Sequence, residues 1–168
     1  MKKVIYLAGG CFWGLAHLMQ SLPGVTEVVS GYANGSGAEE ANYAAVCTGL
    51  TGFRETVQVT YDPEAVSLET LLRAYFAVID PTEINRQGMD IGTQYQTGIY
   101  YDDEESRAVV ERAAAAEKGK HRRFYGTPPL GEFLPRRGVS SGLFNKESPR
   151  LLPHLPCQDG RGTGDGEE

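Results

Sequence analysis

The amino-acid sequence predicts an α+β fold, specifically a two-layer ferredoxin-like (split βαβ) sandwich with a mostly antiparallel sheet and helices on one face. Two observations predict it. Stretches with strand and helix character follow one another in the order strand, helix, strand, strand, helix, strand, helix. The chain is also the right size for one such unit, since 168 residues, 40% of them hydrophobic, suit a single globular domain with its own core.

The first three elements are a strand, a helix and a second strand. Residues 4–9, VIYLAG, form a short apolar run rich in β-branched and aromatic residues, which predicts a buried strand that ends at the glycines. Apolar side chains then recur at helical spacing over residues 12–22, and Pro23-Gly24 ends that helix. Residues 25–35 return to strand character and end in an Asn-Gly turn.

The next strand and helix show clearer patterns. Apolar and polar residues alternate in ETVQVTYDP, which predicts a half-buried strand with Val57, Val59 and Tyr61 on one face. A helix begins after the capping residue Ser67 and ends before Pro81.

The last two elements precede a change of character. Residues 97–101, TGIYY, predict a strand, and residues 103–118 predict a helix with acidic residues at its start and Lys118 at its end. Beyond Lys118 the chain is rich in Gly, Pro, Ser and Arg and has no sustained period. We therefore predict a folded domain over residues 1–118 and an irregular tail over residues 119–168.

Composition excludes several classes of function. A net charge of -6 and a pI near 5.1 argue against nucleic-acid binding. The apolar run at residues 4–8 is shorter than a secretory signal requires, and no run is long enough to span a membrane. Cys11, Cys47 and Cys157 are too scattered for a disulfide framework or a zinc site. We expect a cytoplasmic monomer with no metal and no organic cofactor.

Cys11 is the candidate nucleophile. It follows the strand and the turn formed by Gly9 and Gly10, at the start of a helix, where backbone N–H groups and the helix dipole lower a thiol pKa and favour the thiolate. Phe12 and Trp13 place aromatic walls beside the sulfur. The alternative interpretation is that Cys11 is a buried small hydrophobic residue and Trp13 fills the core.

Several motifs in sequence resemble those of the A-type peptide methionine sulfoxide reductases. They are GGCFWG, GYANG, NYAAVCTG, TGFRETVQVTYDP and IDPTEINRQGMDIGTQYQTGIYY, in the order and spacing of that family. The resemblance covers residues 3–118, so it implies that residues 1–118 are the catalytic domain of such a reductase. It also implies an enzyme that reduces methionine-S-sulfoxide, protein-bound or free, with thioredoxin or another thiol as the reductant.

The resemblance implies a role for each of seven side chains. Cys11 is the nucleophile, and Glu55 is the acid that protonates the sulfoxide oxygen. The other five bind substrate: aromatic residues hold the S-methyl group and polar residues bind the oxygen. These are Phe12 and Trp13 for the methyl group, and Tyr43, Tyr95 and Asp90 for the oxygen.

The chemistry requires these residue types. A sulfoxide sulfur is a poor electrophile until its oxygen is protonated, so the attacking Cys11 needs an acid beside it. We expect the apolar wall of Trp13 to raise the pKa of Glu55 so that the carboxyl keeps its proton. The tyrosine hydroxyls stabilise charge on the oxygen. Attack yields methionine and a sulfenic acid on Cys11, which another thiol reduces.

Some features depart from the family or leave alternatives open. Gly-Phe-Arg-Glu, ending at Glu55, stands where the family usually has Gly-His-Ala-Glu, so the histidine is absent. Cys47 is interpreted as a buried structural residue. A cysteine hydrolase would need a histidine base, and His17 is the only one before the tail. A binding module for oxidised methionine that does not turn over is the third hypothesis.

The tail lacks the family's usual C-terminal segment, which often ends in Asn-Pro-x-Gly-Tyr-Cys and supplies a resolving thiol. With suitable synonymous codons, residues 132–143 read one base later encode Asn-Phe-Tyr-Pro-Ala-Glu-Glu-Tyr-His-Gln-Asp. Residues 144–154 likewise encode a segment that contains Asn-Pro-Arg-Gly-Tyr-Cys. We therefore hypothesise a frameshift between Ala113 and His121, which leaves Cys157 near the resolving position by accident and makes the protein depend on external thiols.

The gene sequence tests the frameshift hypothesis. We expect the DNA downstream of codons 113–121 to encode the family's C-terminal segment in a second frame, because the back-translated match continues over many codons. Direct sequencing across that region measures this. An uninterrupted gene whose other frames encode no such segment contradicts the hypothesis.

Overall fold

The computed structural model describes residues 1–35, 37–120 and 133–135. The strands within these residues form a five-stranded sheet in the order β6-β1-β3-β2-β7 and a separate two-stranded hairpin of β4 and β5. The strands are β1 (Lys3–Ala8), β2 (Val25–Ala33), β3 (Arg54–Tyr61), β4 (Arg86–Gln87), β5 (Asp90–Ile91), β6 (Gly98–Tyr100) and β7 (Phe133–Pro135).

The helices include all three that the sequence predicts. The helices are α1 (Phe12–Ser21), α2 (Tyr43–Cys47), α3 (Leu68–Val78) and α4 (Glu104–Lys120). The short α2 and the two 3₁₀ helices, at Ala38–Glu40 and Thr93–Tyr95, were not among the predicted elements. Each of the three spans only three to five residues, too few to produce a helical period in the sequence.

The split βαβ arrangement is confirmed by the strand order. β3 lies between β1 and β2 and is antiparallel to both, so these two strands, joined through α1, do not contact each other directly. The register pairs Leu7 with Val57 across β1 and β3, and Val57 with Ser30 across β3 and β2. β6 extends the sheet beyond β1, also antiparallel. The fold is thus α+β with an antiparallel sheet, as the sequence predicts.

The main core lies between the sheet and the helices. The alternating residues Val57, Val59 and Tyr61 of β3 are each at most 1% exposed and belong to this core, which confirms the predicted face. Met19 of α1, together with residues of α3 and α4, packs into the same core. The three longer helices therefore cover one face of the sheet, and a small cluster around Tyr100 marks the other face.

The helix boundaries follow from local chemistry. The hydroxyl of Ser67 accepts a hydrogen bond from the Thr70 N–H at 3.2 Å, which confirms the predicted cap of α3. α4 begins with Glu104 and Glu105 and ends with Lys118 and Lys120, charges that complement the helix dipole at both ends.

A strand lies inside the segment for which composition predicts an irregular tail. β7 pairs with β2, with Ala33 opposite Phe133 and Gly31 opposite Pro135. The difference has a local reason, because Phe133 and Leu134 pack against the sheet clusters that composition alone does not reveal. Residues 121–132 and 136–168, including Cys157, lie outside the described residues, and the boundary at residue 118 stays a prediction.

Among the described residues, no helix is long and apolar enough to cross a membrane.

Tyr75 ties the ends of two strands to α3, and its removal gives a stability prediction. Its buried hydroxyl donates to the Ala8 carbonyl at 2.6 Å and lies 3.3 Å from the Gly98 carbonyl. We expect Tyr75→Phe to lower the free energy of unfolding by about 1–3 kcal/mol, because the buried carbonyls lose their donor. Urea denaturation measures this.

The control for that change is Tyr101→Phe. The Tyr101 hydroxyl has no hydrogen bond to another described residue and its ring is half-buried, so the same deletion of one oxygen should leave stability unchanged within about 0.5 kcal/mol. Equal stability of the two variants would contradict a tethering role for Tyr75.

Candidate active site

Cys11 lies at the turn between β1 and α1, as its N-cap residue. Gly10 adopts a φ of 70°, which favours glycine, and a Cβ there would come within 3.1 Å of the Gln87 Cβ. Its N–H donates to the Tyr95 carbonyl at 3.1 Å. The glycine turn thus brings the backbone close to two other segments and presents Cys11 where they meet.

Two distant carboxylates accept the first N–H groups of α1. The Cys11 N–H donates to Asp90 Oδ2 at 3.3 Å, and the Phe12 N–H donates to Glu55 Oε2 at 3.0 Å. Helix-start N–H groups have no partner within the helix, and here Cys11 supplies no side-chain cap. Glu55, at 2% exposure, and Asp90 therefore act as the cap, which fixes both acids beside the cysteine.

Burial, followed by the negative charges of Glu55 and Asp90, raises the pKa of the Cys11 thiol to about 11. Hydrogen bonds from the backbone N–H groups of Trp13 and Gly14 act in the opposite direction. The expectation that the helix start gives a lowered thiol pKa is therefore wrong for this arrangement. The same acids that cap the helix outweigh its N–H groups, and Cys11 is a neutral thiol at pH 7.

The two aromatic residues after Cys11 lie at different depths. Phe12 is 1% exposed and packs against Tyr32, with ring centroids 5.8 Å apart. Trp13 is half-buried and meets the edge of Phe12 at 5.3 Å. Trp13 is therefore the aromatic surface that a bound molecule could contact, and Phe12 supports it from the core.

The predicted oxygen-binding residues come from three separate segments. Tyr95, at 5% exposure, closes the second 3₁₀ helix, and burial, followed by the charges of Glu55 and Asp90, raises its pKa. Its hydroxyl therefore stays protonated as a donor. Tyr43, at 37% exposure, begins α2 and is close enough to Tyr95 to affect its titration. Asp90 lies on the hairpin of β4 and β5, which the sequence did not predict.

Other candidate residues lie elsewhere or have other partners. Cys11 is a free thiol, whereas Cys47, the last residue of α2, is half-buried and disulfide-bonded. His17 is exposed on α1. Phe53, in place of the family's histidine, is 1% exposed in the core beside Tyr32. No group of three or more metal-ligating side chains occurs among the described residues.

This arrangement can support nucleophilic chemistry coupled to proton transfer. A thiol, a buried carboxyl group and a tyrosine hydroxyl converge at one helix start, with an aromatic surface beside them. The fold and these side chains are typical of an enzyme with a cysteine nucleophile and an adjacent acid.

Residues 3–135 match the family model described as peptide methionine sulfoxide reductase. The chain belongs to the peptide methionine sulfoxide reductase family. The match extends past residue 118 and includes β7.

Individual relatives agree with this assignment. A peptide methionine sulfoxide reductase MsrA of Clostridium acetobutylicum is 46% identical over 135 residues, which are 80% of each chain. The structure of methionine sulfoxide reductase A of Corynebacterium diphtheriae has a TM-score of 0.74 at 30% identity, covering 99% of this chain and 84% of that one. Mxr1 from Saccharomyces cerevisiae in complex with Trx2 has a similar fold, with a TM-score of 0.58 at 22% identity over 79% of each chain.

The charge of Glu55 gives a prediction for the titration of Cys11. We expect Glu55→Gln to lower the Cys11 pKa below about 11, because it removes the charge that, after burial, does most to raise that pKa. The glutamine oxygen can still accept the Phe12 N–H. The rate of alkylation by iodoacetamide against pH, followed on chymotryptic peptides that separate Cys11 from Cys47, measures this.

The matched control is Glu64→Gln, which removes one carboxylate from an exposed turn after β3. It should leave the Cys11 titration unchanged. If Glu55→Gln titrates like the unchanged protein, the two groups are not electrostatically coupled.

Proposed function

We propose that this chain reduces methionine-S-sulfoxide, protein-bound or free, to methionine through nucleophilic attack by Cys11, with Glu55 as the acid. The chain is an oxidoreductase of the methionine sulfoxide reductase A type. One observation supports the site assignment above all others: the hydrogen bond of 3.0 Å from the Phe12 N–H to Glu55 Oε2 fixes a buried carboxyl group next to the cysteine.

The proposed step uses one thiol and one proton donor. Glu55 donates its proton to the sulfoxide oxygen while the sulfur of Cys11 attacks, and the thiol proton of Cys11 returns to the carboxylate. This attack forms a bond between the Cys11 sulfur and the sulfoxide sulfur. That bond and the bond from the sulfoxide sulfur to its oxygen then break as the oxygen passes to Cys11, which becomes a sulfenic acid. The substrate sulfur gains two electrons and becomes methionine, and Cys11 is oxidised by the same two electrons.

The surroundings of Glu55 and Cys11 determine which of the two groups holds a proton. Glu55 is 2% exposed, and burial favours the neutral form of a carboxyl group. The raised pKa of Cys11 also favours a proton on the thiol. We therefore propose that Cys11 holds its proton in the free enzyme, that Glu55 is protonated when the sulfoxide binds, and that the bound oxygen draws this proton away.

The other predicted residues complete the proposed pocket. Trp13, supported by Phe12, contacts the S-methyl group through its partly exposed face. Tyr95 donates a hydrogen bond to the oxygen, since its raised pKa keeps the hydroxyl protonated. Tyr43 and Asp90 complete the polar side of the pocket, and Asp90 does so from its position on the Cys11 N–H.

We propose that thioredoxin or another external thiol regenerates Cys11 in a cytoplasmic, monomeric enzyme. Cys11 is a free thiol, and Cys47 is already disulfide-bonded, so reduction from outside the chain suits this site. The complex of the fold neighbour Mxr1 with Trx2 supports thioredoxin as the donor. The sulfenic acid then reacts with two thiols in turn, which releases water and leaves a disulfide on the reductant.

A reductase assay tests the proposed function. We expect the chain, with dithiothreitol, to convert a peptide containing methionine-S-sulfoxide to the methionine form and to leave the R epimer unchanged. Cys11→Ser should abolish the reaction, and Glu55→Gln should lower kcat by roughly 10²–10⁴-fold, the usual contribution of a general acid. Chromatography of the peptide products measures both.

Cys47→Ser is the matched cysteine control and should retain activity with dithiothreitol. Equal product from the unchanged chain and Cys11→Ser would remove Cys11 from the mechanism. Binding of the sulfoxide peptide by a folded chain without any product would instead support a binding module.

A further inference from the structure

The side chain of Gln87 joins three segments that surround the proposed site. Its Oε1 accepts the Asp80 N–H at 2.9 Å, and its Nε2 donates to the Asp80 carbonyl at 2.6 Å. Nε2 also donates to the Thr97 hydroxyl oxygen at 3.0 Å. Gln87 therefore fastens β4 to the chain that follows α3 and to the residue that precedes β6.

The backbone of Gln87 positions Asp90 directly. Gln87 and Asp90 are paired residues of the hairpin formed by β4 and β5. A Cβ on Gly10 would come within 3.1 Å of the Gln87 Cβ and 3.7 Å of Asp90 Oδ2. Gln87 thus packs on the glycine turn at the point where the hairpin delivers Asp90 to the Cys11 N–H.

The hydrogen bond from Gln87 to Thr97 connects the hairpin to the segment that carries Tyr95. Thr97 is 3% exposed and lies two residues after Tyr95. Its carbonyl accepts a hydrogen bond of 3.4 Å from the Arg54 guanidinium, which also donates to the Tyr100 hydroxyl at 2.9 Å. The segment that carries Tyr95 is therefore held from the hairpin by Gln87 and from β3 by Arg54.

We propose that Gln87 is a positioning residue for the reduction: its amide group holds the hairpin so that Asp90 meets the Cys11 N–H beside Tyr95. This rests on the function proposed above. The two strands of the hairpin contain two residues each, too few to fix its place by strand pairing alone. The side-chain hydrogen bonds of Gln87 supply that constraint.

An amide group is needed because the contacts require both a donor and an acceptor. Gln87 accepts from the Asp80 N–H and donates to the Asp80 carbonyl, so it pairs with that backbone as another peptide group would. A carboxylate cannot make the two donations, and a leucine of similar size makes none of the three bonds. Without them we expect the hairpin to move relative to Cys11.

The test compares Gln87→Leu with Ser67→Ala, which removes a side-chain hydrogen bond at the start of α3. Ser67→Ala is a better control than Gln96→Leu, because Gln96 binds Asn85, whose carbonyl accepts the Gly92 N–H of the same hairpin. The Ser67 hydroxyl instead caps α3 through the Thr70 N–H at 3.2 Å. Both variants should lose stability. Only Gln87→Leu should lower kcat, by up to about 10²-fold as for a misplaced catalytic group, with a smaller change in KM.

A second readout is independent of reductase activity. The ionisable groups that face Cys11 are Glu55 from β3, Asp90 from β5 and Tyr95 from the 3₁₀ helix. If the hairpin moves away, the charge of Asp90 has less effect and the Cys11 pKa should fall, as in Asp90→Asn. The shift should not add in the double variant Gln87→Leu/Asp90→Asn, because both changes remove the same interaction.

Thr97→Val keeps the test informative if Gln87→Leu does not fold. It removes only the hydroxyl bound by Gln87 and should produce smaller shifts of the same sign in kcat and in Cys11 alkylation. An unchanged Cys11 titration and kcat in Gln87→Leu or Thr97→Val, or fully additive shifts in the double variant, would overturn the proposal. A shifted titration in a chain without reductase activity would support the positioning and contradict only the proposed function.

Discussion

The hydrogen bond from the Phe12 N–H to Glu55 is the contact on which the site depends. It joins the first turn of α1 to β3 across the buried side of the sheet. Together with the bond from the Cys11 N–H to Asp90, it satisfies N–H groups that a helix start would otherwise leave without partners. The cap of this helix and the acids of the proposed mechanism are therefore the same side chains, so the fold stabilises its helix with the groups that it needs for chemistry.

The acids that cap α1 also raise the pKa of Cys11. A helix start ordinarily favours a thiolate, but two acids placed on its first N–H groups replace that effect with negative charge. Cys11 and Glu55 cannot both be ionised cheaply in a buried site, so their proton equilibria are coupled. Cys11 reacts when a sulfoxide oxygen takes up a proton. Before substrate binds, the neutral thiol reacts more slowly with other oxidants than a thiolate would.

The longer elements could be predicted from the sequence because their patterns extend over several residues. The alternation of β3, the cap at Ser67 and the acidic start of α4 each reflect local chemistry that the structure retains. The hairpin of Arg86–Ile91 could not be predicted, because its strands are two residues long and depend on side-chain bonds to distant backbone groups. The raised pKa of Cys11 was also missed, since it depends on acids 44 and 79 residues away in sequence, at Glu55 and Asp90.

The position of β7 affects how the sheet meets other molecules. In the described part of the chain, the sheet would end at the nine-residue strand β2 without β7. β7 lies so close to β2 that a Cβ on Gly31 would clash with the Leu134 carbonyl oxygen, and its last residue, Pro135, has no N–H to offer a further strand. A long strand edge with unpaired backbone groups invites pairing with other chains, whereas a short edge that ends in proline discourages it. These three residues therefore protect the protein from edge-to-edge aggregation.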